Sequence, residues 1–250
     1  MWAFKTMCDE FFVTSRLNFK LELNPSRETL LHFCEQIRKA FPRMSRLRRR
    51  QSGGVVLDEE DGAEDAARRY VRVEPMSLRF GIFGADDRLS LERLAGVVLT
   101  QAPFHLSLSD LDYDQFEVIF GFDLEYRGNH DELVAETLLS DHPLVAGVTP
   151  PGARTIDCQP FMGFALDEDC TTQAFMDVKS RTSTFEVRSN EYEPNIITIY
   201  ATVRRYMTSR FAGDLIKLHH ELLLAAEKFA GQRVLPHVVQ PLAAAIASRR

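Results

Sequence analysis

The stretch QFEVIFGFDLEY, residues 115–126, puts Phe116, Val118, Phe120, Phe122, Leu124 and Tyr126 at every second position. Successive side chains of an extended chain point to opposite faces, so this spacing predicts a long strand with one wholly apolar face. Just downstream, Asn129 offers an N-cap to HDELVAETLL (130–139). Glu132 stands at the capping-box position, and Asp131 beside it suits the positive end of the helix dipole. The unit is a strand followed by a capped helix.

The chain opens with the same unit. In RLNFKLEL (16–23), Leu17, Phe19, Leu21 and Leu23 alternate with Asn18, Lys20 and Glu22. NPSRETLLHFCEQIRKAF (24–41) then reads as a helix, with Asn24 as cap, Pro25 at the first helical position and Pro42 as its stop. Its apolar stripe is Leu30, Cys34, Ile37 and Phe41. Between the two units lie the strand YVRVEPMSLRFGIFG (70–84), where Pro75 demands an edge, a bulge or a break, and the helix RLSLERLAGVVLTQ (88–101). Asp86 or Asp87 caps that helix, which should end before Pro103.

After the second unit come the loop SDHPLVAGVTPPGAR (140–154) and three strand-like runs at 155–166, 173–188 and 195–206. Two helices, 214–230 and 238–250, close the chain. Strands that come in runs favour an α+β fold, with a mostly antiparallel sheet or sheets packed against helices, in two loosely similar strand-helix-strands-helix halves. One polar face per strand places the helices on one side of the sheet. The expected lobes are 1–105 and 106–250, with a single continuous domain as the alternative.

At 250 residues, 45 % apolar and 26 % charged, the chain has an ordinary globular composition and can bury a sizeable core. Cys8, Cys34, Cys158 and Cys170 show no metal spacing. The start, MWAFKTMCDEFFV, lacks the apolar run of a signal peptide, and no stretch approaches the roughly 18 apolar residues of a membrane span. The expectation is a cytoplasmic protein with reduced thiols and no membrane contact. Net charge is −6, and counted by fifties it runs +6, −4, −9, −4 and +5. A negative middle between positive ends predicts attraction within the fold or between copies, as in a homo-oligomer, and argues against general nucleic-acid binding.

The segment RMSRLRRRQSGG (43–54) tests that last inference. A two-residue loop at Ser52 and Gly53 would make a hairpin with Arg50 opposite Val55, Arg48 opposite Leu57 and Arg46 opposite Glu59. Across residues 43–65 five positive charges then meet six negative ones, Asp58, Glu59, Glu60, Asp61, Glu64 and Asp65, and the hairpin neutralises itself. The competing reading has Arg46, Arg48, Arg49 and Arg50 gripping a polyanion such as RNA or DNA. Against it, no aromatic residue lies between Phe41 and Tyr70 for stacking. The acidic stretch DEEDGAEDAA (58–67) has little to bury and also reads as a mobile loop.

Reactive constellations are sparse. His219, His220 and Glu221 cluster on the penultimate helix, but adjacent helical residues point about 100° apart and cannot share one metal without distortion. HExxH is absent. Asp141 and His142 precede Pro143 in the long loop, where they would need a Ser or Cys nucleophile, and no GxSxG exists. GIFGAD (81–86) lacks the third glycine and the lysine of the phosphate-binding turns, and DLDYD (110–114) and DEDC (167–170) lack EF-hand spacing. No metal and no cofactor is expected. Phe116, Phe120, Phe122, Phe161, Phe164, Phe175 and Phe185 should mostly be core, and a gap between sheet and helices would be apolar enough for a hydrophobic ligand or a partner's helix. A non-enzymatic binding or assembly module ranks first. An enzyme built around Asp141 and His142 or around His219–Glu221 comes second, and a polyanion binder third.

Overall fold

The computed structural model describes residues 2–50, 53–60, 67–207 and 213–249. A 3-10 turn at Ala3–Met7 leads into β1 (Glu10–Phe19), α1 (Arg27–Ala40), β2 (Arg46–Arg49), β3 (Val55–Asp58), β4 (Arg68–Glu74), β5 (Ser77–Phe83) and α2 (Arg88–His105). The second half comprises β6 (Tyr113–Tyr126), α3 (His130–Leu138), α4 (Pro143–Val148), β7 (Phe161–Ala165), β8 (Thr172–Lys179), α5 (Thr184–Ser189) and β9 (Asn195–Tyr206). It ends with α6 (Leu215–Phe229), a π-helical stretch at Ala230–Val239 and α7 (Gln240–Ala247).

The nine strands among the described residues form one antiparallel sheet in the order β2-β3-β4-β5-β1-β6-β9-β8-β7. Each half starts with its central strand, crosses a helix to the outer edge and returns inward strand by strand. The two first strands, β1 and β6, pair along their length and join the halves. Helices pack on one face: α2 on β5, and α6 on β6 and β9. There the apolar alternation of β6 is buried as expected, with Phe116, Val118, Phe120 and Phe122 at 0 % exposure. Each such side chain contributes about 1.5–3 kcal/mol on burial. Trp2, Phe4, Phe11, Phe120 and Phe122 form a nest of edge-on and tilted rings that pins the amino terminus to the sheet.

Several local expectations are corrected. β1 begins at Glu10 and ends at Phe19, so Leu21 is left 71 % exposed. The cap of α1 is Ser26, itself extended, whose hydroxyl accepts from the Thr29 amide at 3.1 Å, so the helix starts after Asn24 and Pro25. At Pro75 the strand run does break, as expected, in the turn between β4 and β5. Pro103 is carried within the last turn of α2. The run 173–188 splits into β8 and the helix α5, whose capping box of Ser183 and Glu186 outweighs its β-branched composition. The two final helices are continuous, and the π-helical stretch between them carries Pro236.

The arginine hairpin forms in a different register. Arg46 pairs with Asp58, Leu47 with Leu57, Arg48 with Val56 and Arg49 with Val55, one residue away from the expected alignment. The cause is the turn: Gly53 takes a left-handed φ of 89°, and Arg50 N–H donates to Gly54 O at 2.7 Å, which makes an odd-length loop. Ser52 of the expected loop, and Asp61, Glu64 and Asp65 of the acidic run, lie outside the described residues. Asp58 thus takes the place assigned to Glu59. It binds Arg46 at 2.8 Å and also Arg48, while Glu59 is engaged by Arg69 at 3.0 Å. A double-mutant cycle of Arg46→Ala and Asp58→Ala, read by denaturant unfolding, is expected to show coupling of about 1 kcal/mol. The corresponding cycle of Arg46 with Glu59 should show none.

Candidate functional site

Three consecutive residues singled out on α6 serve three different partners. His219 is 1 % exposed, lies between the rings of Phe80 and Phe116, and shares a hydrogen bond of 2.8 Å between Nε2 and Ser15 Oγ. Burial, and secondarily the neighbouring His220, pushes its pKa down to about 3, so it is neutral at pH 7. His220 turns outward to Glu92 on α2 at 2.8 Å, and Glu221 reaches Arg205 on β9 at 3.2 Å. The structure does not bring them together. Asp141 and His142 sit on an exposed turn, where His142 Nδ1 accepts from the Leu144 amide at 3.3 Å as the cap of α4. Among the described residues neither is hydrogen-bonded to a Ser, Thr or Cys side chain. Among the described residues no group of three or more His, Cys, Asp or Glu is placed to hold a metal ion.

Arg46, Arg48, Arg49 and Arg50, by contrast, line one cleft of about 390 Å³ with Arg68, Arg69 and Arg72. Tyr70 and Phe83 supply aromatic rings to the same cleft. The rings missing from the hairpin's own sequence come from β4 and β5, the next two strands in the sheet.

That cleft is one end of a larger surface, the sheet face turned away from the helices. Reading the pairings from strand to strand, Arg48 stands opposite Val56, Val56 opposite Arg72, Arg72 opposite Arg79, Arg79 opposite Arg16, Arg16 opposite Glu117 and Glu117 opposite Arg204. Five arginines therefore lie in a single row across seven strands, spanning roughly 29 Å at the usual strand spacing. Three of them, Arg72, Arg79 and Arg16, are direct cross-strand neighbours, an arrangement that like charges make unfavourable. Burial and Arg16 accordingly lower the pKa of Arg79.

Carboxylates relieve this repulsion by sharing. Glu117, 3 % exposed, lies 3.4 Å from both Arg16 and Arg204. Glu74 binds Arg79 at 3.0 Å and Arg72 at 3.5 Å, and Asp58 holds Arg46 and Arg48. The Glu117 and Glu74 trios each set two arginines against one acid, which leaves one positive charge in excess at each.

Rows of aromatic rings run alongside. Phe12 is the cross-strand partner of Gly121, Tyr70 of Gly81 and Phe175 of Gly163. A Cβ on those glycines would stand 2.1 Å from the Phe12 ring, 3.0 Å from the Tyr70 ring and 2.7 Å from the Phe175 ring. Each ring therefore lies over the sheet in the space its glycine leaves open. Phe83 touches both Phe12 and Tyr70, with ring centroids at 5.3 and 5.6 Å. Guanidinium groups sit over three rings: Arg204 on Phe175 at 4.4 Å, Arg68 on Phe83 at 5.5 Å and Arg72 on Tyr70 at 5.9 Å.

Phe116, Phe120 and Phe122 are core on the helix side, but Phe161, Phe164 and Phe185 are exposed and Phe175 is half-buried on the open face, because the outer strands and α5 carry these rings away from the packed helices, so the seven are not mostly core. The gap between sheet and helices lies elsewhere, as a groove of about 580 Å³ between α1 and the β2–β3 hairpin. Leu30, Leu31, Cys34, Leu47 and Val55 form its walls, with Arg27 and Arg49 among its polar residues. Burial pushes the Cys34 thiol up to about 11, which marks it as a packing residue rather than a nucleophile.

Set against known proteins, the chain matches no family model and no curated protein. The fold and the site define a class: a two-layer α+β protein whose sheet leaves one face, bearing arginines and aromatic rings, clear of its helices. No described helix is long and apolar enough to cross a membrane.

Proposed function

We propose that this protein is a non-enzymatic binding module that takes a single-stranded nucleic acid on the open face of its sheet. The row Arg48–Arg72–Arg79–Arg16–Arg204 carries this reading. The shared carboxylates leave more arginines than acids along the row, and a polyphosphate backbone lying across it would neutralise the excess. The adjacent rings of Tyr70, Phe83 and Phe12 give unstacked bases a platform, as on other sheet surfaces that bind single strands. The acidic excess of the chain does not weigh against this site, because the Glu117 and Glu74 trios at the middle of the row each hold two arginines for one acid.

The test is fluorescence anisotropy with a labelled, unstructured RNA or DNA oligonucleotide at low and high salt. Binding should weaken steeply with salt and be stronger for the single strand than for a duplex of the same sequence. Phe83→Leu removes a ring while keeping the arginines, and should weaken binding by roughly five- to a hundred-fold, the range for loss of one stacked base. Arg48→Gln, at the most exposed end of the row, should lower the salt slope by about one. A folded wild-type protein that shows no anisotropy change at low salt would overturn the proposal. Equal binding of heparin and oligonucleotide, unaffected by Phe83→Leu, would reduce it to charge alone.

A further inference from the structure

The two edges of the sheet are built differently. One edge is β2, short and carrying Arg46, Arg48 and Arg49, the charged composition by which edge strands discourage further pairing. The other is β7, Phe-Met-Gly-Phe-Ala, and all of its side chains are exposed. Phe161 is 60 % exposed, Met162 51 % and Phe164 45 %, and Leu166 just beyond is 50 % exposed.

The hydrogen-bond phase of β7 shows what its edge offers. Pro160 O accepts from the Val178 amide at 3.0 Å, and the Leu166 amide donates to Thr172 O at 2.8 Å, both toward β8. Alternate residues of an antiparallel strand bond to the same side, so Met162 and Phe164 also face β8. The N–H and C=O groups of Phe161, Gly163 and Ala165 therefore point off the sheet, a ready template for one more strand. The edge is held firm for that role, with Phe161 stacked on Phe175 and Phe164 against Phe229 across the two faces.

Charge selects the occupant. Asp157 precedes β7, and Asp167, Glu168 and Asp169 follow it, with no Lys or Arg from 155 to 170. Two copies pairing antiparallel about Gly163 would bring the Asp157 end of each β7 toward the Asp167–Asp169 turn of the other, and like charges brought together there repel. We infer that the β7 edge docks an extended segment of a partner protein, added as a tenth strand, with a short apolar core bracketed on both sides by Lys or Arg. The apolar side chains of such a segment would continue the Phe161–Phe175 and Phe164–Phe229 contacts, and its flanking cations would meet the acidic brackets.

The probe is a fluorescein-labelled peptide with a Val-Thr-Val-Thr-Val core between paired lysines, titrated against the full chain by anisotropy. It should bind at least tenfold tighter than the same core between paired glutamates. Ala165→Pro deletes one outward-pointing donor without touching the ladder to β8, and should weaken peptide binding tenfold or more. Glu168→Lys combined with Asp169→Lys, both on an exposed turn, should reverse the preference toward the glutamate-flanked peptide and so tests the site without any risk to the strand. Indifference of the wild type to the flanking charge would overturn the inference. So would a dimer in light scattering that Ala165→Pro dissociates, because β7 would then pair with its own copy. Neither outcome bears on oligonucleotide binding, which uses the arginine row.

Discussion

Lowering the pH from about 7 to about 4 is expected to destabilise the protein, and His219→Gln to remove much of that dependence. In the folded state the His219 ring is sealed between Phe80 and Phe116, and burial holds its pKa at about 3 against an ordinary value of 6.5. Between those values the unfolded chain binds a proton that the folded chain does not. Stability is therefore fully present above 6.5 and lost as the pH falls toward 3, at up to about 1.4 kcal/mol per pH unit. His130 is shifted down by burial as well and adds to the slope. Asp123, raised by burial, works in the opposite direction, because its folded form takes up a proton first as the pH falls. Urea midpoints across this range should drop steeply for the wild type. The His219→Gln variant should be weaker at neutral pH, through lost ring packing, yet flatter with pH. Parallel curves for the two proteins would show that His219 is not the group responsible.

Gly81→Ala should be among the most damaging single-atom changes in the molecule. Gly81 lies in β5 between Thr14 of β1 and Tyr70 of β4. An added Cβ would come within 2.4 Å of Val13 O and 3.0 Å of the Thr14 Cα, both backbone atoms of a central strand, as well as against the Tyr70 ring. A flexible side chain could swing away, but the sheet backbone cannot, so the variant should lose about 1–3 kcal/mol or more. At about 2–4 °C per kcal/mol for a chain of this size, thermal unfolding reads the loss directly. Gly96→Ala is the matched control. It sits within α2 with nothing inside 4 Å of its Cβ, and should gain up to about 1 kcal/mol. Equal effects at the two positions would mean that the close approach at Gly81 does not exist in solution.

The same backbone contact shows how little of the candidate site could be read along the chain. Arg16, Arg72, Arg79 and Arg204 are recognisable one by one as polar-face residues of alternating strands. That they stand in one row depends on the pairing of β4 with β5, β5 with β1, β1 with β6 and β6 with β9, which together join Arg16 to Arg204, about 190 positions away. The glycines carried a faint signal: Gly81, Gly121 and Gly163 each interrupt a strand, and a glycine there often marks a ring or a backbone lying close above it. The arginine hairpin was legible as a hairpin. Its register was not, because a change of one residue in loop length exchanges Asp58 for Glu59 as the partner of Arg46.

Period-two alternation, capping residues and prolines are short-range properties, and they sufficed for the α+β class, the apolar face of β6, the helices after β1 and β6, and the coarse likeness of the two halves. What they leave open is every relation across strands: one sheet with a face clear of the described helices, carboxylates each shared by two arginines, His219 buried while His220 is not, and β7 left apolar at an edge. Those features follow from register and strand order, fixed by contacts between distant parts of the chain whose free energy no local segment contains.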